Sequence, residues 1–373
     1  MFNSLSSMKL SSTNDSNREQ ICLNTLSSST LSQPNTKSIG EEICTKKDIN
    51  TQFNKVLIVG LGQLGLPVAR YVNERGFDTY GYDISHQAIE RAEKTTGVKK
   101  AINFGEFDVF ILCVSTHKPD DMFSPQIEGL LSIVEKISKE AKSGALVSIE
   151  STIPKGTSKK VFELLNHRLH VVHAPHRWYA LDEKVHGVNQ LRVIGGVCDC
   201  CLRTGMQFYD VRNNDATNTT NITAITNPIT SNSIDGNNNN YDDNSCNEDK
   251  NKQKSLGIPM HPVSEVEIAE TTKIVENAHR YLQIAFAEDL YLYCEANDID
   301  FSELRDALNT KWNVNILEPR EGIGGHCLPK DSKRFLQSSN ERKSHILTAA
   351  IEVDQDYRRY RTKLEKKSNS PIV

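Results

Sequence analysis

Two hydrophobic rhythms divide this chain. Between Lys55 and Tyr209 short apolar runs alternate with stretches of helical period, whereas from Ser264 onward the period is helical alone. The run Lys55-Val56-Leu57-Ile58-Val59 is continuously apolar after its first residue, which predicts a strand covered on both faces within a parallel sheet. A glycine-bearing turn then opens a helix over Leu66 to Asn73, with Gly76 at the C′ position, and Phe77 to Asp83 reads as the next strand. Helices over His86 to Lys94, Ile127 to Ala141 and Val161 to Leu165 alternate with strands over Val109 to Val114, Ala145 to Ile149 and Leu169 to His173. Leu191 to Gly195 reads as a last strand. Alternation of this kind predicts an α/β fold with a doubly wound parallel sheet that ends near Tyr209.

The second rhythm places Ile268, Ile274, Val275, Ala278, Leu282, Ala285 and Leu290 on one long helix over Ser264 to Ala296. Ser264 is suited to cap it, and Glu267 three residues on completes a capping box. Phe301 to Leu308 and His345 to Tyr360 predict further helices, so a long connecting helix leads into an all-helical second domain. Residues 1–52 and 210–256 carry no sustained apolar period and are rich in Asn, Ser and Thr, including Asn237 to Asn240. Such segments bury too little surface to offset ordering entropy and are expected to be disordered. The expected organisation is a sheet domain over 53–209, a helical domain over 257–362 and a tail over 363–373.

Composition narrows the partners. The 373 residues carry a net charge of −4, and apart from the short basic stretch Arg358 to Lys367 the cations are dispersed, which argues against a nucleic-acid surface. No run reaches the ~20 apolar residues of a membrane span, and no secretory leader is evident, so a cytoplasmic protein acting on a small molecule is expected. Nine scattered cysteines then indicate reduced thiols, not a disulfide framework. Cys198, Cys200 and Cys201 form a C-x-C-C cluster, but no second Cys/His pair follows at finger-like spacing, so no metal is assigned. The sequons at Asn218 and Asn221 arise from Asn/Thr richness and carry no information in a cytosolic chain.

Three groups of residues carry candidate chemistry. Gly60-Leu61-Gly62-Gln63-Leu64-Gly65 follows a strand, opens a helix and is succeeded at the next strand end by Asp83, the context of a Rossmann-type dinucleotide site. Glycines admit a pyrophosphate close to the helix N-terminus, and Asp83 suits ribose hydroxyls. No arginine directly follows Asp83 to meet a 2′-phosphate, which favours NAD over NADP. Lys273 and Asn277, four apart on the long helix, share a face and together can stabilise an oxyanion. Finally Gly322 to Asp331, reading Gly-Ile-Gly-Gly-His-Cys-Leu-Pro-Lys-Asp, sets Cys327 behind glycines and before Lys330 and Asp331. Lys330, Lys273 or a helix terminus would lower the thiol pKa, and Asp331 could hold a water; Pro329 is expected to prevent one continuous helix between Cys327 and Asp331.

Together these segments resemble the nucleotide-sugar 6-dehydrogenases, the UDP-glucose and GDP-mannose dehydrogenase superfamily that includes the UDP-N-acetylmannosamine enzymes. The likeness runs in order through Val59 to Ala69, Leu112-Cys113-Val114-Ser115-Thr116, Glu150 to Thr157, Glu270 to Asn277 and the cysteine loop. It implies oxidation of the C6 alcohol of a nucleotide sugar, UDP-linked first of all, to a uronic acid with two NAD and a thioester on the cysteine. By motif, Cys327 is the implied nucleophile, Lys273 and Asn277 hold sugar and oxyanion, and Asp331 assists water. Thr116, Thr152 and Lys330 fall near NAD, Gly324 falls near substrate, and the long helix pairs in a homodimer.

The chain departs from that pattern in places. Pro175-His176-Arg177 stands where the family often has Pro-Glu-Arg or Pro-Glu-Phe, which makes His176 the substitute base, beside Arg177 as a substrate contact. Ala88 stands near the place of a basic residue that often follows the ribose acid. Family members usually continue into a further nucleotide-gripping domain, whereas the sequence runs about 40 residues past Asp331, so substrate affinity is expected to come from another chain, from a smaller substrate, or from loops such as Glu318-Pro319-Arg320. Two other readings share the fold: a single-hydride hydroxy-acid dehydrogenase, and a non-catalytic NAD-binding protein.

Overall fold

A computed structural model describes residues 52–117, 125–178, 182–210, 254–338 and 342–368. The expectations for 1–51, for most of 210–256, for both sequons and for residues 369–373 lie outside the described residues. Strand β1 (Lys55–Val59) shows why its sequence is continuously apolar. Val56 and Ile58 enter the core on one face of the sheet, Leu57 and Val59 that on the other, and all four are at most 1% exposed. The neighbouring β4 (Val109–Leu112) divides the same way, Val109 and Ile111 against Phe110 and Leu112. One core is closed by helices α1 (Gly65–Glu74) and α5 (Asp199–Tyr209), the other by α3 (Glu128–Glu140) and α4 (Thr157–Leu164). Removing Phe110 down to Ala would cost ~3–5 kcal/mol.

Eight strands form one sheet in the order β3-β2-β1-β4-β5-β6-β7-β8. The others are β2 (Asp78–Tyr82), β3 (Lys99–Lys100), β5 (Leu146–Ile149), β6 (His170–His173), β7 (Arg192–Gly196) and β8 (Met260–Val263). Helix α2 (His86–Thr96) crosses from β2 to β3, with Ser85 Oγ capping Ala88 N–H and Gly97 closing it at φ +73°. Chain order reverses between β1 and β4, the switch point where an open α/β sheet forms its ligand crevice.

The sheet is mostly parallel, as expected, and two features at its far edge add to that picture. β7 pairs antiparallel with β6, because the described residues between them contain no α-helix to carry the chain back across the sheet. β8, after residues 211–253, then pairs parallel with β7, so 254–263 extends the sheet domain instead of opening the helical one. Leu256 and Ile258 N–H groups bond Phe208 and Tyr209 carbonyls, which ties the returning chain to α5.

The helical part consists of α6 (Val266–Ala296), α7 (Phe301–Asn309), α8 (Cys327–Gln337) and α9 (His345–Ser368). The capping box does not form: α6 begins after Glu265, no side chain caps it, and Glu267 pairs instead with Lys159 on α4. The expected tail is also shorter, since α9 continues through Ser368. Among the described residues no helix is long and apolar enough to cross a membrane.

The break expected at Pro329 is absent. Pro329 is the third residue of α8, inside the first turn, where an N–H has no intrahelical partner to lose. Cys327 and Asp331 therefore stand one turn apart on one helix face, with Cys327 at its N-terminus.

Candidate active site

The glycine loop is built around two close approaches. Gly60 adopts φ +89°, and a Cβ there would lie 2.7 Å from the Cys113 carbonyl oxygen; one on Gly65 would fall 1.7 Å from the Gly60 oxygen. At Gly62, by contrast, a Cβ would meet nothing within 4 Å, so the loop is open on its outer side. Helix α1 starts at this loop with no side-chain cap and no acidic residue in its first turn. Its N–H groups and dipole are thus available to an anion.

Asp83 Oδ2 accepts Leu61 N–H at 2.7 Å and Oδ1 accepts Ser85 N–H at 2.8 Å, which aims a half-buried carboxylate at the crevice with lone pairs to spare. Gly60, Leu61, Gly62, Gln63, Leu64, Gly65 and Asp83 are brought together as expected, and they fit NAD: pyrophosphate at the open helix end, ribose hydroxyls on the acid. The sequence reading missed Arg91, whose Nη2 donates to the Leu61 carbonyl at 2.9 Å. It stands one turn beyond Ala88, so the fold places a cation at this loop.

Across the crevice lies the seam between α6 and α8. Asn277 Nδ2 donates to Asp331 Oδ2 at 2.6 Å, with Lys273 one turn earlier on α6 and the exposed Cys327 one turn earlier on α8. Asp331 is fully buried, and Lys330 Nζ stands 3.4 Å from its Oδ1. Burial lowers the Lys330 pKa, opposed by Asp331 and Cys327, which places this ammonium in electrostatic reach of the thiol.

Arg334 is the principal residue that sequence reasoning overlooked. It lies two turns after Cys327 on α8, 4% exposed, and donates to the Thr152 carbonyl at 3.3 Å and to the Thr116 carbonyl. Thr116 Oγ1 in turn donates to Thr152 O at 2.7 Å. One guanidinium thereby holds the loops after β4 and β5 against the helix that carries the cysteine, and both threonines fall at the crevice. His117 and His326 add a second tie, with Nε2 atoms 3.0 Å apart. Burial and then Lys330 lower both histidine pKa values, which favours a neutral pair sharing one N–H···N bond.

The cysteine loop is pinned from α9. Ile323 N–H donates to Asp354 Oδ1 at 2.8 Å, Arg358 Nη2 donates to Ile323 O at 2.7 Å, and Tyr357 OH donates to Arg320 O at 2.8 Å. Arg358, read from sequence as the start of a basic tail, is instead part of this clasp. Gly324 is exposed with open space about it, and the Arg320 side chain is also exposed.

His176 and Arg177 do not stand free in the crevice. His176 is 5% exposed, and its Nε2 lies 2.7 Å from Glu150 Oε2, an ion-pair distance off the line of a hydrogen bond. Burial, then Arg192, lowers its pKa to about 4, so the ring is neutral. Arg177 pairs with Glu276 and donates to Leu191 O at 2.9 Å.

The model of the UDP-glucose/GDP-mannose dehydrogenase family, NAD binding domain, matches residues 91–212, and that of the family's central domain matches 267–356. The UDP-N-acetyl-D-mannosamine dehydrogenase of Methanococcus maripaludis is 27% identical over 83% of this chain, which spans 66% of that relative. The Campylobacter jejuni enzyme of the same name is 26% identical over 82% of this chain and 72% of its own length. The solved UDP-D-ManNAc dehydrogenase of Pyrococcus horikoshii shares the fold, with a TM-score of 0.62 at 24% identity over 84% of this chain and 71% of that one. With both family domains matched in order and the glycine loop, threonines and cysteine helix assembled around one crevice, the chain belongs to the UDP-glucose/GDP-mannose dehydrogenase family.

Proposed function

We propose that the chain oxidises the C6 alcohol of a UDP-linked sugar to the uronic acid, with Cys327 holding the carbon between the two oxidations. The observation that carries this reading is the α6–α8 seam, where Asn277 and Asp331 are bonded beneath an exposed cysteine at a helix N-terminus. A single alcohol-to-carbonyl oxidation needs no thiol, whereas oxidation onward to a carboxylate is assisted by one. Bound NAD supplies the hydride acceptor for each oxidation.

The Cys327 thiolate adds to the C6 aldehyde, and the charge that develops on oxygen faces the Lys273 ammonium and the second N–H of the Asn277 amide. Loss of a hydride from the adduct leaves a thioester on Cys327, which water cleaves to carboxylate and thiol. Asp331 receives the proton of that water. Arg334 holds the cofactor loops in register with Cys327. The names of the relatives support UDP-N-acetylmannosamine as the first sugar to try. A cytosolic setting, where thiols stay reduced, suits this chemistry.

The long helix supports a homodimer. Ile268, Val275, Phe286 and Tyr293 are all exposed and lie within about 20° of one another around α6, an apolar stripe without an intrachain cover. Phe286→Glu is expected to leave a monomer by analytical ultracentrifugation, and an unchanged mass would remove the stripe from the interface.

The test of the reaction is a screen of UDP-N-acetylmannosamine, UDP-glucose and GDP-mannose for NADH release and uronate. Two NADH per uronate are expected with a UDP-sugar, and Cys327→Ser should lower uronate formation by at least 10³-fold, or ~4 kcal/mol in the barrier. No NADH with any nucleotide sugar, or undiminished uronate from the serine variant, would sink the proposal. One NADH per substrate and no carboxylate would favour the hydroxy-acid reading.

A further inference from the structure

The antiparallel turn of β7 has a chemical result at the end of the sheet opposite the glycine loop. β6 begins at His170, and β7 ends at Gly196 beside Val172, so the start of α5 is delivered to the same edge. Cys198 is the N-cap of α5, and Cys200 and Cys201 lie in its first turn. Cys198 Sγ stands 3.0 Å from Cys200 Sγ and 3.2 Å from Cys201 Sγ. One ring nitrogen of His170 and the sulfurs of Cys200 and Cys201 all fall within 4.8 Å of one another. His170 thus shares one place with Cys200 and Cys201, about 30 residues on in sequence, and the Cys198 sulfur borders them through its contacts with both sulfurs.

Apolar packing of thiols does not account for the fourth member. His170 is 1% exposed, and its buried Nδ1 has no hydrogen-bond partner. A disulfide between two of the cysteines would not engage that nitrogen. Three thiolates and one imidazole are the donor set of a closed, four-coordinate zinc site.

We propose that Cys198, Cys200, Cys201 and His170 bind one thiophilic d10 cation, zinc(II), which cross-links helix α5 to strand β6. Each thiol releases its proton to solvent as it ligates, so the loaded site carries one net negative charge. The N-terminus of α5 and the Val171 N–H, which donates to Cys201 Sγ at 3.3 Å, both stabilise that charge. With Zn–S bonds of about 2.3 Å at tetrahedral angles, the sulfurs sit ~3.8 Å apart, so loading moves the Cys198 sulfur away from the other two by about 0.6–0.8 Å. Cys198 is only half-buried and gives the ion a way in. The site is structural, since four protein ligands leave no open position.

Reduced full-length protein, freed of metal by a chelator, is titrated with Co(II) and then Zn(II). One equivalent of Co(II) is expected to give the thiolate charge-transfer band and the intense visible bands of a tetrahedral ion, both bleached by one equivalent of Zn(II). The spectrum should persist in Cys327→Ser and vanish in Cys200→Ser/Cys201→Ser. His170→Gln should keep the charge-transfer band with affinity weakened ~10- to 100-fold. Zinc should raise the melting temperature of the wild type and not that of the double serine variant. Because the wild-type titration stands on its own, a poorly folding variant does not obscure the answer. No Co(II) or Zn(II) uptake by reduced wild type, equal uptake by the double variant, or uptake lost in Cys327→Ser would each overturn the site, as would tight binding of copper(I) alone.

Discussion

A buried glutamate in the sheet domain and one in the helical region are held in opposite ways. In the sheet domain Glu150 is buried but compensated: Arg192 Nη1 lies 3.1 Å away, Tyr209 OH donates to it at 2.6 Å, and His176 closes the other side. Burial alone would push its pKa up, yet Arg192, His176 and Tyr209 together hold it at about 2. In the helical region Glu288 on α6 is equally buried, but neither carboxyl oxygen has a hydrogen-bond partner. Burial, and then Asp354, push its pKa up to about 8. Glu150 keeps a fixed negative charge because donors surround it; Glu288, without them, is kept neutral.

The largest expected effect comes from breaking the compensated cluster. Arg192→Met leaves Glu150 buried without its cation and should cost about 3–5 kcal/mol in urea unfolding. Adding Glu150→Gln should restore most of that loss, because the uncompensated charge disappears with its partner. If the double variant is no more stable than the single one, Arg192 acts by packing on Tyr209 and not through charge.

A smaller effect sharpens the contrast in pH. His173 and His176 have pKa values lowered by burial to about 3 and about 4, and Glu150 is held at about 2, so all three bind fewer protons folded than unfolded. Their contribution is present above the unfolded values near 6.5 and 4.5 and is lost as the pH falls toward 4 and then 2. Glu288 has the opposite sign: its raised folded pKa favours the native state below about pH 4.5, and that advantage is lost as the pH rises to about 8. Glu288→Gln should therefore stabilise the protein by on the order of 3 kcal/mol near pH 7.5 and by little at pH 4.5. A gain independent of pH would show that Glu288 is ionised in the native state.

The two regions were also unequally legible in the sequence. β1, the glycine loop and Asp83 could be read because each signal is local: a continuous apolar run, a turn that only glycines fit, an acid at a strand end. The cysteine helix hid behind Pro329, and reading that proline as a break concealed Arg334, two turns further along the same face. β8 was lost because its partner β7 lies on the far side of residues 211–253. His170 could not be joined to the C-x-C-C cluster without knowing that β7 runs antiparallel to β6. His176 looked like an exposed base, whereas the fold turns it inward onto Glu150, a contact set by two strands and a helix.

The smallest effect tests whether the clasp on the cysteine loop positions the thiol or merely stabilises α9. Arg358 joins Asp354 at 3.0 Å to the Ile323 carbonyl at 2.7 Å, so it fixes the backbone four residues before Cys327 without reaching the crevice itself. Arg358→Gln should lower kcat about 10-fold, ~1.4 kcal/mol in the barrier, with KM for the nucleotide sugar little changed. Thiol alkylation at Cys327 should lose its single rate as the loop samples more positions. Arg359→Gln, which removes only the exposed pair with Asp356, is the control and should leave both measurements as they were. If Arg358→Gln lowers the melting temperature while kcat and alkylation stay unchanged, the clasp belongs to the stability of the helical region, and the placement of Cys327 rests on Arg334 and the α8 N-terminus alone.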